Sequence, residues 1–305
     1  MRTQHYLVLD IGGTAVKYAV MDDSAAILLK GAFPSPKSQL DDFWAALDQV
    51  VEPTRQKFNI TAIAISTCGA VDCETGVIHG ASALPYIHGP NFKQLIQARY
   101  QLPSELENDA CCAALAELWK GAAQQTQDCC LAVIGSGIGG AIVQNRSIHH
   151  GHQRHGGEFG YMIAGHDHDL PLTFSDLAST RGLVEAAAKA LNEPVETLNG
   201  KVVFERNEQG ESRLTTVIDN WYRMLAIGLF NIQYCIDPEK IILGGAISAR
   251  PELLIKLNQH IDELMRKMPF AKIRPQLAVC QAGNDANLIG ALYHYLNRQS
   301  QHLSF

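Results

Sequence analysis

An apolar run, HYLVLD, stops at Gly12-Gly13-Thr14 and resumes as AVKYAVMD. Short apolar runs bounded by turn residues predict a strand, a tight turn and a second strand. AAILLKGAF predicts a third strand, after which two prolines around Ser35–Lys37 break the pattern. QLDDFWAALDQVVEPTRQKF has helical spacing with Pro53 late in it. TAIAIST, β-branched at every second position, predicts a buried strand. The order βββαβ over roughly the first 65 residues begins with a meander, not with the βαβ unit of a dinucleotide-binding fold.

The same order recurs from Cys129. CCLAVIGSGIGGAIVQNRSI reads as strand, Gly-rich turn, strand, and a helix-rich stretch follows from Phe174 to about Asp237. LTTVIDNWYRMLAIGLFNIQYCI predicts one long helix within it. KIILGGAIS predicts a strand ending in a glycine pair, QLAVCQ another strand, and ANLIGALYHYLN a closing helix. Two halves with the same opening predict a duplicated α/β architecture with a cleft between them. The expected division is 1–108 and 109–285, with the closing helix at about 286–305 packing on the N-terminal domain.

Composition narrows the function classes. Of 305 residues, 47% are apolar and 18% charged, the balance of a globular protein large enough to need no staple. A formal charge of −6, with no Lys/Arg cluster, argues against nucleic acid as a partner. No apolar stretch approaches the ~20 residues of a bilayer span, and no signal peptide is expected at the start. The eight cysteines include two adjacent pairs and no CxxC, a poor framework for disulfides or zinc, so a cytoplasmic protein with reduced thiols is expected.

Three glycine turns are candidates for ligand contact. In LDIGGT, Gly12 and Gly13 would let backbone approach a phosphate, Thr14 adds a hydroxyl, and Asp10 could hold a hydrated divalent cation. A tight hairpin with glycine chosen for positive φ explains the same pair equally well. In IGSGIGGA, the residues are Gly135, Ser136, Gly137, Gly139 and Gly140. The following AIVQN reads as a strand, so this is no Rossmann fingerprint, and it lacks the Gly-Lys-Ser/Thr ending of a P-loop. Gly244 and Gly245, in ILGGAIS, form a third turn suited to a base or ribose.

The order of these turns resembles the actin-like, ribonuclease-H-like phosphotransferases, and the chain resembles the ROK family of sugar kinases over essentially its whole length. DIGGT is similar to that family's first phosphate loop, and GSGIGGAIVQN to its second. STCGAVDCETGVIHG is similar to its PG-x-VD segment with Cys68 in place of proline. LENDACCAALAELWKG resembles its Asn-Asp segment, GGEFGYM its GE-x-GH segment, and IILGGAIS its adenosine-side turn. The resemblance implies two ribonuclease-H-like (actin-like ATPase) domains with an active-site cleft between them, ATP and Mg2+ as cofactors, and a homodimer.

It also implies roles. Asp109, where SELEN meets a helix, would be the base that accepts the sugar hydroxyl's proton; read without the family, it is a helix N-cap. Asn108 offers a donor and an acceptor for vicinal hydroxyls, Gly69 leaves room for the ring, and Asp72 shapes its turn. Glu158 would accept sugar hydroxyls near the anomeric end; alone, it reads as a surface turn residue. Asp10 would hold Mg2+ through water. Gly12, Gly13, Thr14, Gly135, Ser136, Gly137, Gly139, Gly244 and Gly245 would line ATP.

One departure matters. The usual member has histidine where Tyr161 stands, and that histidine ligates a structural zinc together with a downstream C-x-C-G-x-x-G-C. IAGHDHDLPLTFSDLAST contains no cysteine, and phenol is a poor zinc ligand, so no structural zinc is expected. His149, His150, His152, His155, His166 and His168 read as polar loop histidines lacking further ligands. This form resembles the zinc-less β-glucoside kinases of the family, which phosphorylate the 6-hydroxyl of the non-reducing glucose of disaccharides such as cellobiose. Tyr161 removes an imidazole near the anomeric carbon, which would admit an aglycone. A glucokinase or N-acylhexosamine kinase of the same family is the alternative. A sugar-sensing regulator is a third reading, but the first strand begins at about residue 6, which is expected to leave no room for its helix-turn-helix.

Overall fold

The computed structural model describes residues 4–302. It divides into two compact units. One comprises the chain up to Gln124, the short segment His150–His155 and the chain from Gln281 onward. The other comprises Gln125–His149 and Gly156–Cys280.

In the first unit, β1 (His5–Ile11), β2 (Ala15–Met21) and β3 (Ile27–Pro34) form the predicted meander. Helix α1 (Leu40–Lys57) leads to β4 (Ile60–Thr67). A hairpin of β5 (Ala70–Asp72) and β6 (Val77–His79) comes next, then α2 (Phe92–Tyr100), β7 (Ser104–Asn108) and α3 (Asp109–Lys120). The sheet order is β3-β2-β1-β4-β7, with β1, β4 and β7 parallel and the meander antiparallel.

Alternation along β1 assigns its faces. Leu7, Leu9 and Ile11 pack with Phe43, Trp44 and Leu47 of α1 and Phe92 and Ile96 of α2. Tyr6 and Val8 pack on the opposite face with Cys112 of α3 and Leu288, Ala291, Leu292 and Tyr295 of the C-terminal helix, Ala286–His302. Period-two geometry therefore turns Asp10, the next residue in that series, toward the C-terminal helix. In β7 the same rule sends Leu106 to the α1 side and Glu105 and Glu107 to the C-terminal helix side. Gly290 permits the close packing of that helix on α3, because a Cβ there would lie 1.7 Å from the Cys112 carbonyl oxygen. Helix α3 thus belongs to the first unit, whose first stretch of chain runs to Gln124, past the expected Asp109 junction.

The second unit repeats the plan. Strands β8 (Cys129–Ile134), β9 (Ile138–Gln144) and β10 (Ser147–Ile148) form its meander. Next come a single 3-10 turn (Phe159–Tyr161), a hairpin of β11 (Ile163–Asp167) and β12 (Leu170–Thr173), and α4 (Phe174–Ala178). Helices α5 (Thr180–Leu191), α6 (Gly200–Glu208) and α7 (Arg213–Ile236), then β13 (Lys240–Gly244), α8 (Leu253–Lys267) and β14 (Leu277–Val279), complete it. The order β10-β9-β8-β13-β14 has the same parallel and antiparallel pairs as the first sheet. Its core gathers Phe174, Leu183, Phe204, Trp221, Tyr222, Leu225 and Leu229 against β8 and β13. The β11–β12 hairpin occupies a stretch whose Gly, Asp and His residues read as loop in the sequence.

Candidate active site

In the first unit three parallel strands end side by side, with Asp10 in register with Ser66 and Thr67 with Asn108. Ligands in α/β sheets gather at such carboxyl ends. Asp10 is buried; its Oδ1 accepts from Ser66 Oγ at 3.0 Å and Asn287 Nδ2 at 3.1 Å, and its Oδ2 lies 3.7 Å from Lys17 Nζ. The β1–β2 turn closes with Gly12 N–H on the Ala15 carbonyl at 3.2 Å. Ser35 Oγ donates to the Gly12 carbonyl at 2.6 Å and Lys37 Nζ to that of Gly13. Neither glycine adopts a left-handed backbone, so positive φ does not account for the pair. Thr14 is exposed at the tip.

Asn108, not Asp109, caps α3. Its Oδ1 accepts from the N–H groups of Ala110 at 3.0 Å and Cys111 at 3.2 Å, and its Nδ2 donates to the Gly69 carbonyl at 3.0 Å. The donor and acceptor expected to meet a sugar are thus largely engaged in fixing two loops to one another. Asp109 is the first helical residue, half-buried, with Oδ1 accepting from Ala110 N–H at 2.8 Å. A carboxylate in the first helical turn is favoured by the helix dipole. Gly69 has φ +102°, and a Cβ would lie 2.8 Å from Ile78 Cγ2, so only glycine fits beside Asn108. Asp72 does shape its turn, accepting from Glu74 N–H at 3.0 Å and from Arg154 at 3.1 Å.

In the second unit the loop between β8 and β9 repeats the first hairpin, Gly135 N–H bonding the Gly137 carbonyl at 2.9 Å. The Gly135 carbonyl accepts from Thr180 N–H at the head of α5, and Ser175 Oγ accepts from Ile138 N–H at 2.9 Å. Ser136 is exposed, and a Cβ on Gly139 would meet nothing within 4 Å. Gly244 ends β13 and Gly245 turns away from it at φ +90°, where a Cβ would lie 2.2 Å from the Ile134 carbonyl oxygen. The GGEFGYM segment lies along β9. Gly157 has φ +95° and abuts Ala141, and Gly160 leaves only 2.1 Å between a Cβ and the Ile138 carbonyl oxygen. Phe159 is buried while Glu158 and Tyr161 are exposed, Tyr161 at 76%. Buried phenylalanine and close-packed glycines hold the glutamate outward.

A model of the ROK family matches residues 6–298 of this chain. The chain belongs to the ROK family. It is 30% identical over 296 residues to a β-glucoside kinase of Listeria monocytogenes, with 96% of this chain and 98% of that protein covered. A ROK family protein of Streptococcus pneumoniae, solved with sucrose, is 36% identical with a TM-score of 0.90, covering 97% of this chain and 99% of that one. A ROK glucokinase of Streptomyces griseus, solved with glucose and AMPPNP, is 26% identical with a TM-score of 0.76 at 97% and 99% coverage. The paired sheets are those of the actin-like ATPase fold, and the activity class is that of a carbohydrate kinase.

Neither Glu107, beside the ROK Asn-Asp segment, nor Asn287, beside Asp10, stands out in the sequence. Glu107 is fully buried directly before Asn108; its Oε1 accepts from Asn108 N–H at 2.7 Å, and Oε2 receives His150 Nε2 at 2.7 Å and Cys73 Sγ at 3.4 Å. Burial alone would raise the Glu107 carboxyl, but the His150 hydrogen bond, the His294 and His150 charges and the Asn108 N–H hold it below its ordinary value. The Glu107 hydrogen bond in turn raises His150, against a smaller effect of burial. His150 is therefore no solvated loop histidine, and its carboxylate partner is 43 residues away in the chain. Asn287 lies 277 residues from Asp10. No local motif announces either pairing; the alternation of SELEN places Glu105 and Glu107 on one face, and only the fold shows that face to be buried.

Proposed function

We propose that this chain transfers the γ-phosphoryl group of ATP to a sugar hydroxyl, the 6-OH, with β-glucosides such as cellobiose as the acceptor class. The observation that carries the reading is Asp109 at the head of α3, set beside an Asn108 whose side chain is fixed to Gly69. A carboxylate so held can hydrogen-bond the attacking hydroxyl and take its proton as the new P–O bond forms, while the γ-phosphoryl leaves ADP in line.

The remaining roles follow from local geometry. Gly12, Gly13 and Thr14, and Gly135, Ser136, Gly137 and Gly139, are assigned to the phosphates, since both turns are closed by one backbone bond and leave backbone near the surface. Gly244 and Gly245 are assigned to the adenosine side. Glu158 is assigned to hydroxyls of the sugar, and Tyr161 to the region beyond the anomeric carbon. Magnesium suits Asp10 acting through water, because Oδ1 already accepts two hydrogen bonds and Oδ2 remains beside Lys17. When bound, the ion neutralises phosphate charge.

The β-glucoside kinase relative and the tyrosine at position 161 favour a glycoside acceptor; the glucokinase neighbour supports free glucose as the second reading. The test is an ATP-coupled assay with glucose, N-acetylhexosamines and cellobiose. Higher kcat/KM on cellobiose is expected, and a strong preference for free hexose would remove the glycoside assignment. In the same assay Asp109→Asn should fold normally and lose ~100-fold or more in kcat; near-normal turnover would remove the base assignment.

A further inference from the structure

The first unit contains a buried cluster of metal-ligand type that the kinase reading does not use. Cys73, on the turn after β5, Glu107 of β7 and His294 of the C-terminal helix are all buried, and one ligand atom from each lies within 4.8 Å of the others. Cys73 Sγ stands 3.4 Å from Glu107 Oε2, and His294 Nδ1 stands 3.6 Å from the same oxygen. Around a tetrahedral zinc ion, with bonds of ~2.3 Å to sulfur and ~2.1 Å to nitrogen and oxygen, adjacent ligands lie about 3.6 Å (S and O) and about 3.4 Å (N and O) apart. The Cys73–Glu107 and His294–Glu107 separations are each within about 0.2 Å of those values.

His294 supplies the second observation. Its Nδ1 faces the Glu107 carboxylate beyond hydrogen-bond length, and its Nε2 is buried without a hydrogen-bond partner. A buried imidazole left in this state is uncommon, because unpaired polar groups are costly inside a protein. A cation at Nδ1 would fix the tautomer and direct Nε2–H toward Glu105 Oε2, now 4.0 Å away, in the carboxylate–histidine–metal pattern that orients such ligands. Glu105 is itself held by Lys93 at 2.7 Å and Arg298 at 3.1 Å.

We propose that Cys73, Glu107 and His294 form a binding site for a zinc-class divalent cation, with His150 turning in as the fourth ligand. The His150 Nε2 atom is 3.8 Å from Cys73 Sγ and 2.7 Å from Glu107 Oε2, so it need only exchange its hydrogen bond to the carboxylate for a bond to the ion. Its side chain is 29% exposed, whereas the other three ligands are buried. On binding, the Cys73 S–H proton passes to solvent, both histidines bind as neutral imidazoles, and thiolate and carboxylate together neutralise the ion. The donor set of one sulfur, two imidazoles and one carboxylate selects zinc or cobalt over magnesium. This site is distinct in sequence and position from a zinc at the Tyr161 segment, which lies in the other unit.

The full chain, treated with chelator and dialysed, is titrated with Co2+ and then with Zn2+ against a chromophoric competitor. One ion per chain, with a thiolate-to-cobalt charge-transfer band, is expected. Cys73→Ala and His294→Gln, checked for folding by circular dichroism, should weaken binding ~100-fold or more, and Glu105→Gln by ~10–100-fold. Cys235→Ser, on an exposed thiol, should change nothing. In the unaltered protein, bound zinc should slow alkylation of Cys73 as read by mass spectrometry, a measurement that survives misfolding of any variant. Absence of stoichiometric binding, a cobalt band that persists in Cys73→Ala, or Cys73 alkylation unaffected by zinc would each overturn the site.

Discussion

Gly160→Ala tests how the Glu158 segment is held. A Cβ at position 160 would lie 2.1 Å from the Ile138 carbonyl oxygen and 2.4 Å from Ser175 Oγ. Reaching an ordinary contact at 3.4 Å requires a retreat of about 1.3 Å, and the first obstacle is strand backbone and not a flexible side chain. Overpacking of this kind costs ~1–3 kcal/mol. Ser175 must also move, which endangers its 2.9 Å hydrogen bond from Ile138 N–H, a further loss of about 1 kcal/mol. The sum, about 2–4 kcal/mol, corresponds to a fall in Tm of roughly 3–6 °C for a protein of this size. The kinetic effect should be larger than the stability change suggests. Glu158 lies two residues before the clash, and ~1 Å of misplacement in a positioning group can cost ~100-fold in rate. Scanning calorimetry and initial rates with sugar and ATP varied separately provide the readout. The expected pattern is a lower Tm with a kcat/KM loss concentrated on the sugar. A variant that retains the original Tm and sugar KM would refute both the packing argument and the role given to Glu158.

Gly139→Ala is the complementary case: its Cβ would enter open space, so Tm should change by less than ~1 °C, while KM for ATP should rise several-fold if this backbone faces phosphate. An unchanged ATP KM would take the loop out of the nucleotide site. Asp48→Asn reports on stability far from catalysis. The Arg99 hydrogen bond, opposed by burial and aided by the Tyr100 hydroxyl, lowers the Asp48 carboxyl. A carboxyl lowered in the folded state stabilises above its unfolded value of about 3.9 and loses that contribution as pH falls through the folded value. With both partners partly exposed, the pair contributes about 1 kcal/mol, so the variant should melt ~1–2 °C lower at pH 7 and converge with the parent as pH falls through the lowered Asp48 value. A gap that stays unchanged however far the pH is lowered below the ordinary carboxylate range would refute the linkage.

Much of the fold was legible because its signals are local. Both meanders, the long α7 and the closing helix follow from apolar runs and helical spacing that need no partner to be read. The ordered glycine motifs made the family recognisable, and alternation in β1 and SELEN already determined which residues share a face of the sheet. Other features depend on what lies across the fold. Gly12 and Gly13 read equally well as phosphate contacts or as positive-φ turn residues; neither has positive φ, and a Cβ would lie 3.0 Å from the Ala15 carbonyl oxygen at Gly12 and 3.0 Å from Ala83 Cβ at Gly13. Asn108 read as free to meet substrate, and its cap on α3 and bond to Gly69 appear only when two strand ends are brought together. His150 read as a polar loop residue until Glu107 was found beside it.

Local propensity and motif order depend on neighbours within a few residues, so the sequence alone determined the two meanders, the long α7, the closing helix, the duplicated plan and the kinship. Hydrogen bonding and burial depend on distance in space, so only the tertiary structure decided what surrounds Asp10, what Asn108 is holding and that Cys73, Glu107 and His294 meet. Those three residues come from a turn, a strand and a helix as far apart as positions 73 and 294, joined because β7 buries its glutamates against the C-terminal helix.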